Sequence, residues 1–527
     1  MTLKKRLKMY KYKTLTIFFL ILILAIFLRT QNLDKPLQRD EMVFFETAKN
    51  LDKQKIPIYC KYCLDEHGQF FKINDWHSPL FLIFLSQIIH FFDLNEFIIR
   101  LSITVFSIAT VILMYFIGNE ISGEKLGLFS MFLLSINRLH VEHSQIVDID
   151  GSFFTFFITL TILFFLKWQN SKKRYKILFI FALILSLLTK EPTILLFPAL
   201  FFYFYKKRKT HEFFEFTIIT LSIFLVVLFS LSFIYSTDFF DGIFRVTTNF
   251  GIQRVTLNIT QRLYQFTGTI TWEFTLPFIL LFIFSIFYEI KTKNLFCKFL
   301  IYIVFPFFIF YTLILGINRY FIPIIPILCL FSSNYILDKK IISKLENILI
   351  ILFVGILCFI TFYLLKVRTD IYFLTNITTN FSIIMVPYIL CLIPLFLYFT
   401  NHKNLAFSVL LGMIIGYNIF FSQEAVNPLI SPDYSRSVIE AAKFIEKSSI
   451  ESPIITNSDI AFYSSRYYYN IQYPFVTATF IKNLVEKNKV HYVIYRADSL
   501  LIPAAVEEFL KQNCKKIENE IFKAFKC

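Results

Sequence analysis

The chain reads as a polytopic α-helical membrane protein of about thirteen transmembrane helices with a small C-terminal extracytoplasmic α/β domain. Three observations predict this. Of 527 residues, 56% are hydrophobic and only 17% are charged. Apolar runs recur along the chain, separated by short basic loops. After about residue 422 the pattern changes to short alternating helical and strand-like stretches. A soluble protein of this length would carry more charge and more than 12 Gly. The net charge of +16 does not point to nucleic acid, because Lys and Arg sit in short loops between apolar runs. There they orient a membrane protein.

Residues 1–13 carry six basic residues, and Thr14 to Leu28 is apolar apart from two Thr. The run ends at Arg29-Thr30-Gln31 with no small-residue cleavage site, so it reads as a retained anchor. The basic start places the N-terminus in the cytoplasm and residues 30–96 in a first outer loop. Within that loop, Pro79–Phe92 is short for a span, contains Gln87 and His90, and is flanked by Asp75 and Asp93. It reads as a helix lying at the interface. Further spans are expected near 97–117, 126–141, 152–168, 177–189, 192–205, 214–235, 275–290, 299–317, 320–337, 346–366, 381–399 and 403–421.

Loop charges support this parity. Lys172-Lys173-Arg174-Lys176, Lys206-Lys207-Arg208-Lys209, Lys291/Lys293/Lys298, Lys339-Lys340/Lys344 and Lys403 then fall inside. The transmembrane part is 1–421. Residues 422–527 form the C-terminal domain, on the outer side, with helices expected at 433–447, 478–488 and 503–513 and strands at 453–456 and 490–495.

Eight cysteines divide by location. Cys297, Cys329, Cys358 and Cys391 lie in or near spans and read as small apolar fillers. Cys60-x-x-Cys63 in the first outer loop reads as a structural disulfide, with a redox pair or unpaired thiols as alternatives. Cys514 and Cys527 are candidates to pair within the C-terminal domain.

Charged groups at the outer face are informative, because an unpaired charge there is costly. The first loop holds Gln38-Arg39-Asp40-Glu41 and later Asp75-Trp76-His77-Ser78-Pro79-Leu80. The second runs from Asn137 through His140, Glu142, His143, Ser144 and Gln145 to Asp148-Ile149-Asp150. Lys190-Glu191-Pro192 and Arg319-Tyr320, with Pro323 and Pro326 following, complete the set.

These motifs, in this order, resemble the membrane glycosyltransferases of the C superfamily, the GT-C enzymes. The nearest likeness is to the family 39-like branch of protein O-mannosyltransferases and aminoarabinose transferases. It rests on Asp40-Glu41 soon after the first span, His77-x-Pro79-Leu80, Arg100-Leu101 opening the second span, Ser144-Gln145-x(4)-Asp150, Thr189-Lys190-Glu191-Pro192 and Arg319-Tyr320-x(2)-Pro323-x(2)-Pro326. It covers about residues 10–330; the remainder matches in layout alone. Glu191 departs from the usual Gly and is placed to pair with Lys190.

The resemblance implies inverting transfer of a sugar from a polyprenyl-phosphate carrier to a cell-envelope glycolipid or protein, on the outer side of a plasma membrane such as the bacterial inner membrane. Asp40 takes the place of the base that removes the acceptor's proton. Glu41 and Asp150 are further catalytic candidates, Asp150 orienting a cation or the acceptor. A phosphate leaving group needs positive charge, not a strong acid. His77, Lys190 and Arg319 are the candidates to supply it. The C-terminal domain would take part in acceptor docking.

Plainer readings stand beside these. Asp40-Glu41 could be a solvated loop pair, Lys190 a helix cap and Arg319 a topological anchor. Asp148-x-Asp150 has the form of a sugar-nucleotide metal motif, and His140 and His143 have zinc-compatible spacing. A lipid-phosphate donor brings no diphosphate that needs a metal, so no cofactor is expected. An envelope polysaccharide polymerase or ligase would place its large loop late. A transporter would show charged or broken helices at midplane. A non-catalytic scaffold of the same fold is the remaining alternative.

Overall fold

The computed structural model describes residues 3–31, 33–34, 37, 40–55, 58–59, 73–74, 79–92, 95–170, 174–235, 276–291, 295–310, 318–339, 346–358, 392–400, 402–426, 432–447, 454–456, 468–470, 481, 483, 490, 492–496, 504–517 and 522–527. The fold is helical. Among the described residues, five helices are long and apolar enough to cross a membrane: Tyr12–Arg29, Glu96–Ser122, Ile149–Gln169, Thr210–Ile234 and Tyr320–Asp338. Shorter apolar helices include Pro79–Phe92, Tyr175–Thr189, Leu295–Ile309, Glu346–Cys358 and Lys403–Ile419. Several expected spans, such as 381–399, fall partly outside the described residues.

Helix α1 is Leu3–Arg29 and α2 is Asp40–Gln54. Strands β1 (Ile58–Tyr59) and β2 (Ile73–Asn74) pair antiparallel. They precede α3, Pro79–Phe92. One face of α3 is buried through Phe81, Leu82, Leu85 and Ile89, while Phe91 and Phe92 are exposed. Such one-sided packing fits an interfacial helix.

Helices α4 (Glu96–Ser122) and α5 (Glu124–Ser135) turn back at Gly123. They touch backbone to backbone: a Cβ on Gly118 would stand 2.6 Å from Cα of Gly127. The span expected at 126–141 is not continuous. α5 stops at Ser135, and a short helix α6, Arg138–Glu142, starts anew. The cause is local. Asn137 is extended, and its side chain accepts a hydrogen bond from His140 N at 3.0 Å, capping α6.

A π-helical turn, Ile149–Phe153, leads into α7, Phe154–Gln169, and α8 is Tyr175–Thr189. A 3-10 turn, Glu191–Leu195, opens α9, Leu196–Lys206; α10 is Thr210–Ile234. Helices α11 (Leu276–Lys291) and α12 (Leu295–Phe310) follow. A second 3-10 turn, Asn318–Ile324, opens α13, Ile325–Asp338, and α14 is Lys403–Val426. Pro192 and Pro323 lie in these 3-10 turns, where the lost N–H and fixed φ are tolerated.

The C-terminal part holds α15 (Pro432–Lys447), α16 (Ala504–Asn513) and strands β3 (Ile454–Thr456), β4 (Tyr468–Asn470), β5 (Tyr492–Arg496), β6 (Lys515–Ile517) and β7 (Phe522–Lys526). They form one sheet of order β4-β3-β5-β7-β6, parallel at β4-β3-β5 and antiparallel beyond. Strands β4, β6 and β7 were not expected from the sequence. β7 alternates Phe522, Ala524 and Lys526 with Lys523 and Phe525, so its two sides mix apolar and basic residues. Cys514 and Cys527 are disulfide-bonded at the open end of the β6-β7 hairpin. Cys297, Cys329 and Cys358 are buried free thiols; Cys60 and Cys63 lie outside the described residues.

Candidate active site

Among the described residues, Glu41, Arg100 and Lys190 meet the 143–152 segment, and Tyr320 approaches it through Lys190. Arg100, at the start of α4, reaches Glu41 on the first turn of α2. Its Nη1 and Nη2 donate to the two Glu41 carboxylate oxygens at 2.5 and 2.8 Å. Both side chains are buried, 6% and 7% exposed, which leaves the pair desolvated. Nη1 also donates to the Gln145 carbonyl at 2.6 Å, and Val147 N donates to Glu41 Oε1 at 2.8 Å. The pair therefore clamps three chain segments together: α2, α4 and the loop beyond α6. A bidentate Arg–carboxylate fork fixes orientation as well as distance.

Asp40 opens α2, one residue before this clamp. Glu41, a catalytic candidate from the sequence, is held by Arg100 and by Val147 N. Its oxygens are already bound to a guanidinium and a backbone N–H, so it is poorly suited to take a proton.

The loop itself is tightly wound. Thr104 Oγ1 donates to the Ser144 carbonyl at 2.9 Å, and Ser152 Oγ donates to the His143 carbonyl at 3.0 Å. Asp148 Oδ1 accepts from Gly151 N at 2.6 Å, while Oδ2 lies 3.3 Å from His143 Nδ1. A Cβ at Gly151 would stand 2.6 Å from that Asp148 oxygen, so the close cap requires glycine. Phe153 packs this turn against its surroundings, with ring centroids 5.2 Å from Phe81 of α3 and 4.7 Å from Phe106 of α4.

Asp150, in the π turn, forms an ion pair with Lys190, which stands between α8 and the first 3-10 turn. The Lys190 side chain is 8% exposed and that of Asp150 3%. The Lys190 ammonium also lies 4.7 Å from the ring centroid of Tyr320, in the second 3-10 turn. The sequence offered Glu191 as a partner for Lys190; the structure adds Asp150, whose carboxylate meets the ammonium. Three breaks in regular helix thus converge on one cation. Arg319 is in the same 3-10 turn as Tyr320, but the described part of the structure does not extend to its side chain, nor to that of Asp40. His77 lies outside the described residues.

A third buried cation, Arg29, was not singled out in the sequence. Arg29 ends α1 and is fully buried. It donates to Ser107 Oγ at 2.9 Å, to the carbonyls of Ala25, Ser135 and Leu134, and to His140 Nδ1 at 2.9 Å. A guanidinium only donates, so His140 Nδ1 is the acceptor and the imidazole proton sits on Nε2. Burial, and then the neighbouring Arg29 and His143, hold the His140 pKa well below its ordinary value. The signal was an arginine directly abutting an apolar run, which calls for buried partners when the helix packs. Arg100, within an apolar helix, carried the same signal.

The four metal candidates do not converge. His140 turns to Arg29, His143 to Asp148, Asp148 also to Gly151 N, and Asp150 to Lys190. Among the described residues no group of three or more His, Cys, Asp or Glu side chains is arranged to hold a metal ion.

Comparison with known proteins adds to this geometry. Residues 76–235 match the family model described as dolichyl-phosphate-mannose-protein mannosyltransferase. An uncharacterized protein of Aquifex aeolicus (strain VF5) is 25% identical over 393 residues, which is 72% of this chain and 74% of that protein. Among solved structures, ArnT from Cupriavidus metallidurans bound to undecaprenyl phosphate superposes with a TM-score of 0.61 at 12% identity, covering 97% of each chain. The archaeal oligosaccharyltransferase AglB from Archaeoglobus fulgidus, in complex with an inhibitory peptide and a dolichol-phosphate, gives 0.56 at 10% identity, covering 96% of this chain and 73% of that one. At such identities the structural likeness speaks for the fold.

Proposed function

We propose that the chain is a multi-pass membrane glycosyltransferase that catalyses a single inverting displacement, in which a sugar passes from a polyprenyl-phosphate carrier to a cell-envelope glycolipid or protein; the match of residues 76–235 to the mannosyltransferase family model and the fold shared with ArnT support this. The observation that supports this reading is the Glu41–Arg100 clamp, which ties the first turn of α2, the turn that Asp40 opens, to the Gln145–Val147 loop. The Asp40 carboxylate takes the proton of an acceptor hydroxyl or amine. The acceptor atom bonds to the anomeric carbon as that carbon's bond to the phosphate oxygen breaks. The phosphate leaves with the electron pair, stabilised by Lys190, with Arg319 and His77 as further donors. Inversion needs no carboxylate nucleophile.

The test is transfer by membranes that contain the overproduced protein, offered a panel of labelled polyprenyl-phosphate sugars. Appearance of labelled product together with free polyprenyl phosphate supports the reading. Failure to consume any donor counts against it. No divalent metal is required in this scheme, in which a lipid monophosphate leaves; among the described residues, His140, His143, Asp148 and Asp150 have partners of their own. EDTA is therefore expected to leave the transfer rate unchanged; a loss restored by added Mg²⁺ or Mn²⁺ would contradict that.

The site faces the outer side of a plasma membrane, that of a bacterial inner membrane, with the N-terminus in the cytoplasm. The Cys514–Cys527 disulfide supports this side, because such bonds persist in oxidising compartments. In intact cells a membrane-impermeant maleimide should label the two thiols only after reduction by an impermeant reductant. Labelling only after cell lysis would place the domain inside, and labelling of intact cells without reduction would show outer thiols that are not paired.

A further inference from the structure

The Lys190 ammonium already has an anion. Its partner Asp150 is more buried than Lys190 itself, and the Tyr320 ring lies 4.7 Å away across the same cation. This raises a difficulty for any phosphate that would use Lys190. A second anion brought against a neutralised, desolvated pair gains little attraction and meets the Asp150 carboxylate.

We propose that Asp150 is the resident counter-ion of the Lys190 seat, that the donor's phosphate displaces it, and that its return to Lys190 expels the polyprenyl monophosphate product. The inference rests on the phosphate role given to Lys190 above. Three points argue for it. Asp150 and Lys190 stand on separate elements, the π turn and the α8 end, so the pair can part without either helix unwinding. The face of Tyr320 attracts the ammonium by its quadrupole, so the ring holds Lys190 in place while anions exchange. The charges of substrate and product differ in the direction that makes such a device useful. The donor is a phosphodiester with one negative charge. The product is a monoester with about −1.5 to −2 at neutral pH. An unopposed Lys190 would therefore hold the product more tightly than the substrate, and turnover would stall. A carboxylate that competes for the ammonium weakens both, and restores the cation's partner when the product departs.

The test uses the full-length protein in detergent, titrated with undecaprenyl phosphate as the probe and read by native mass spectrometry. Asp150→Asn should bind the probe about tenfold more tightly than wild type or better, because the buried cation has lost its anion. The double variant Asp150→Asn with Lys190→Gln should fall back to the wild-type affinity or below. Equal or weaker binding by a folded Asp150→Asn overturns the proposal while leaving the donor reading intact. No binding by wild type or Asp150→Asn overturns both. If Asp150→Asn folds only when undecaprenyl phosphate is present, the lipid has replaced the missing anion, which supports the proposal; a folding defect that the lipid does not relieve counts against it.

Discussion

Arg100→Ala is expected to abolish transfer and to destabilise the protein by about 3–5 kcal/mol, the loss found when one partner of a buried ion pair is removed. The variant strips Glu41 of two hydrogen bonds and the Gln145 carbonyl of one, in a site where both side chains are nearly inaccessible to water. Glu41 is left as a buried carboxylate with Val147 N still bound to it. It relieves this by moving or by taking a proton, and either response shifts the first turn of α2, where Asp40 sits. Arg100→Lys keeps the charge but not the fork, so it should recover part of the stability and little of the activity. Thermal unfolding in detergent checks the first claim and transfer checks the second. Wild-type stability in Arg100→Ala would show that the clamp is incidental.

Lys190→Gln is expected to lower turnover about 10²–10³-fold, the range for removing one electrostatic donor from a developing anion. The side chain stands where α8 ends, the π turn passes and Tyr320 approaches, so its position is set by three elements rather than one. Removing it also leaves Asp150 buried without its cation, and that stability loss is separable. In Lys190→Gln with Asp150→Asn, stability should recover while turnover stays low. Recovery of turnover along with stability would mean that Lys190 serves only to neutralise Asp150.

The helical, apolar character of the chain was legible in the sequence, because apolar runs are local signals. The interfacial reading of Pro79–Phe92 rested on length and on Gln87 and His90, and the structure packs one side of that helix while exposing Phe91 and Phe92. The break at Asn137 was hidden, since Ile136, Leu139 and Val141 keep the run apolar through a cap that only geometry reveals. The partners at the site were harder still. Glu41 and Arg100 are 59 residues apart, and Glu41 and Val147 are 106 apart, with no spacing that relates them. Chain proximity suggested Glu191 for Lys190, and nothing in the spacing pointed to Asp150, the carboxylate across the site that also meets it. Strands β4, β6 and β7 escaped because, unlike the equally short β3 and β5, they carry Asn470, the Lys515-Lys516 pair, and Lys523 with Lys526 in place of a continuous apolar run, a pattern that only makes sense once the sheet is assembled.

The most direct measurement is sugar transfer from polyprenyl phosphate by Asp40→Asn beside wild type, at matched protein levels and with unfolding curves recorded for both. Asn keeps the size of the side chain and removes its basicity. The account predicts a fall of about 10²–10⁴ in transfer, the usual contribution of a positioned general base, with unfolding unchanged. Full transfer by a normally folded Asp40→Asn would contradict it, and would remove Asp40 from the chemistry.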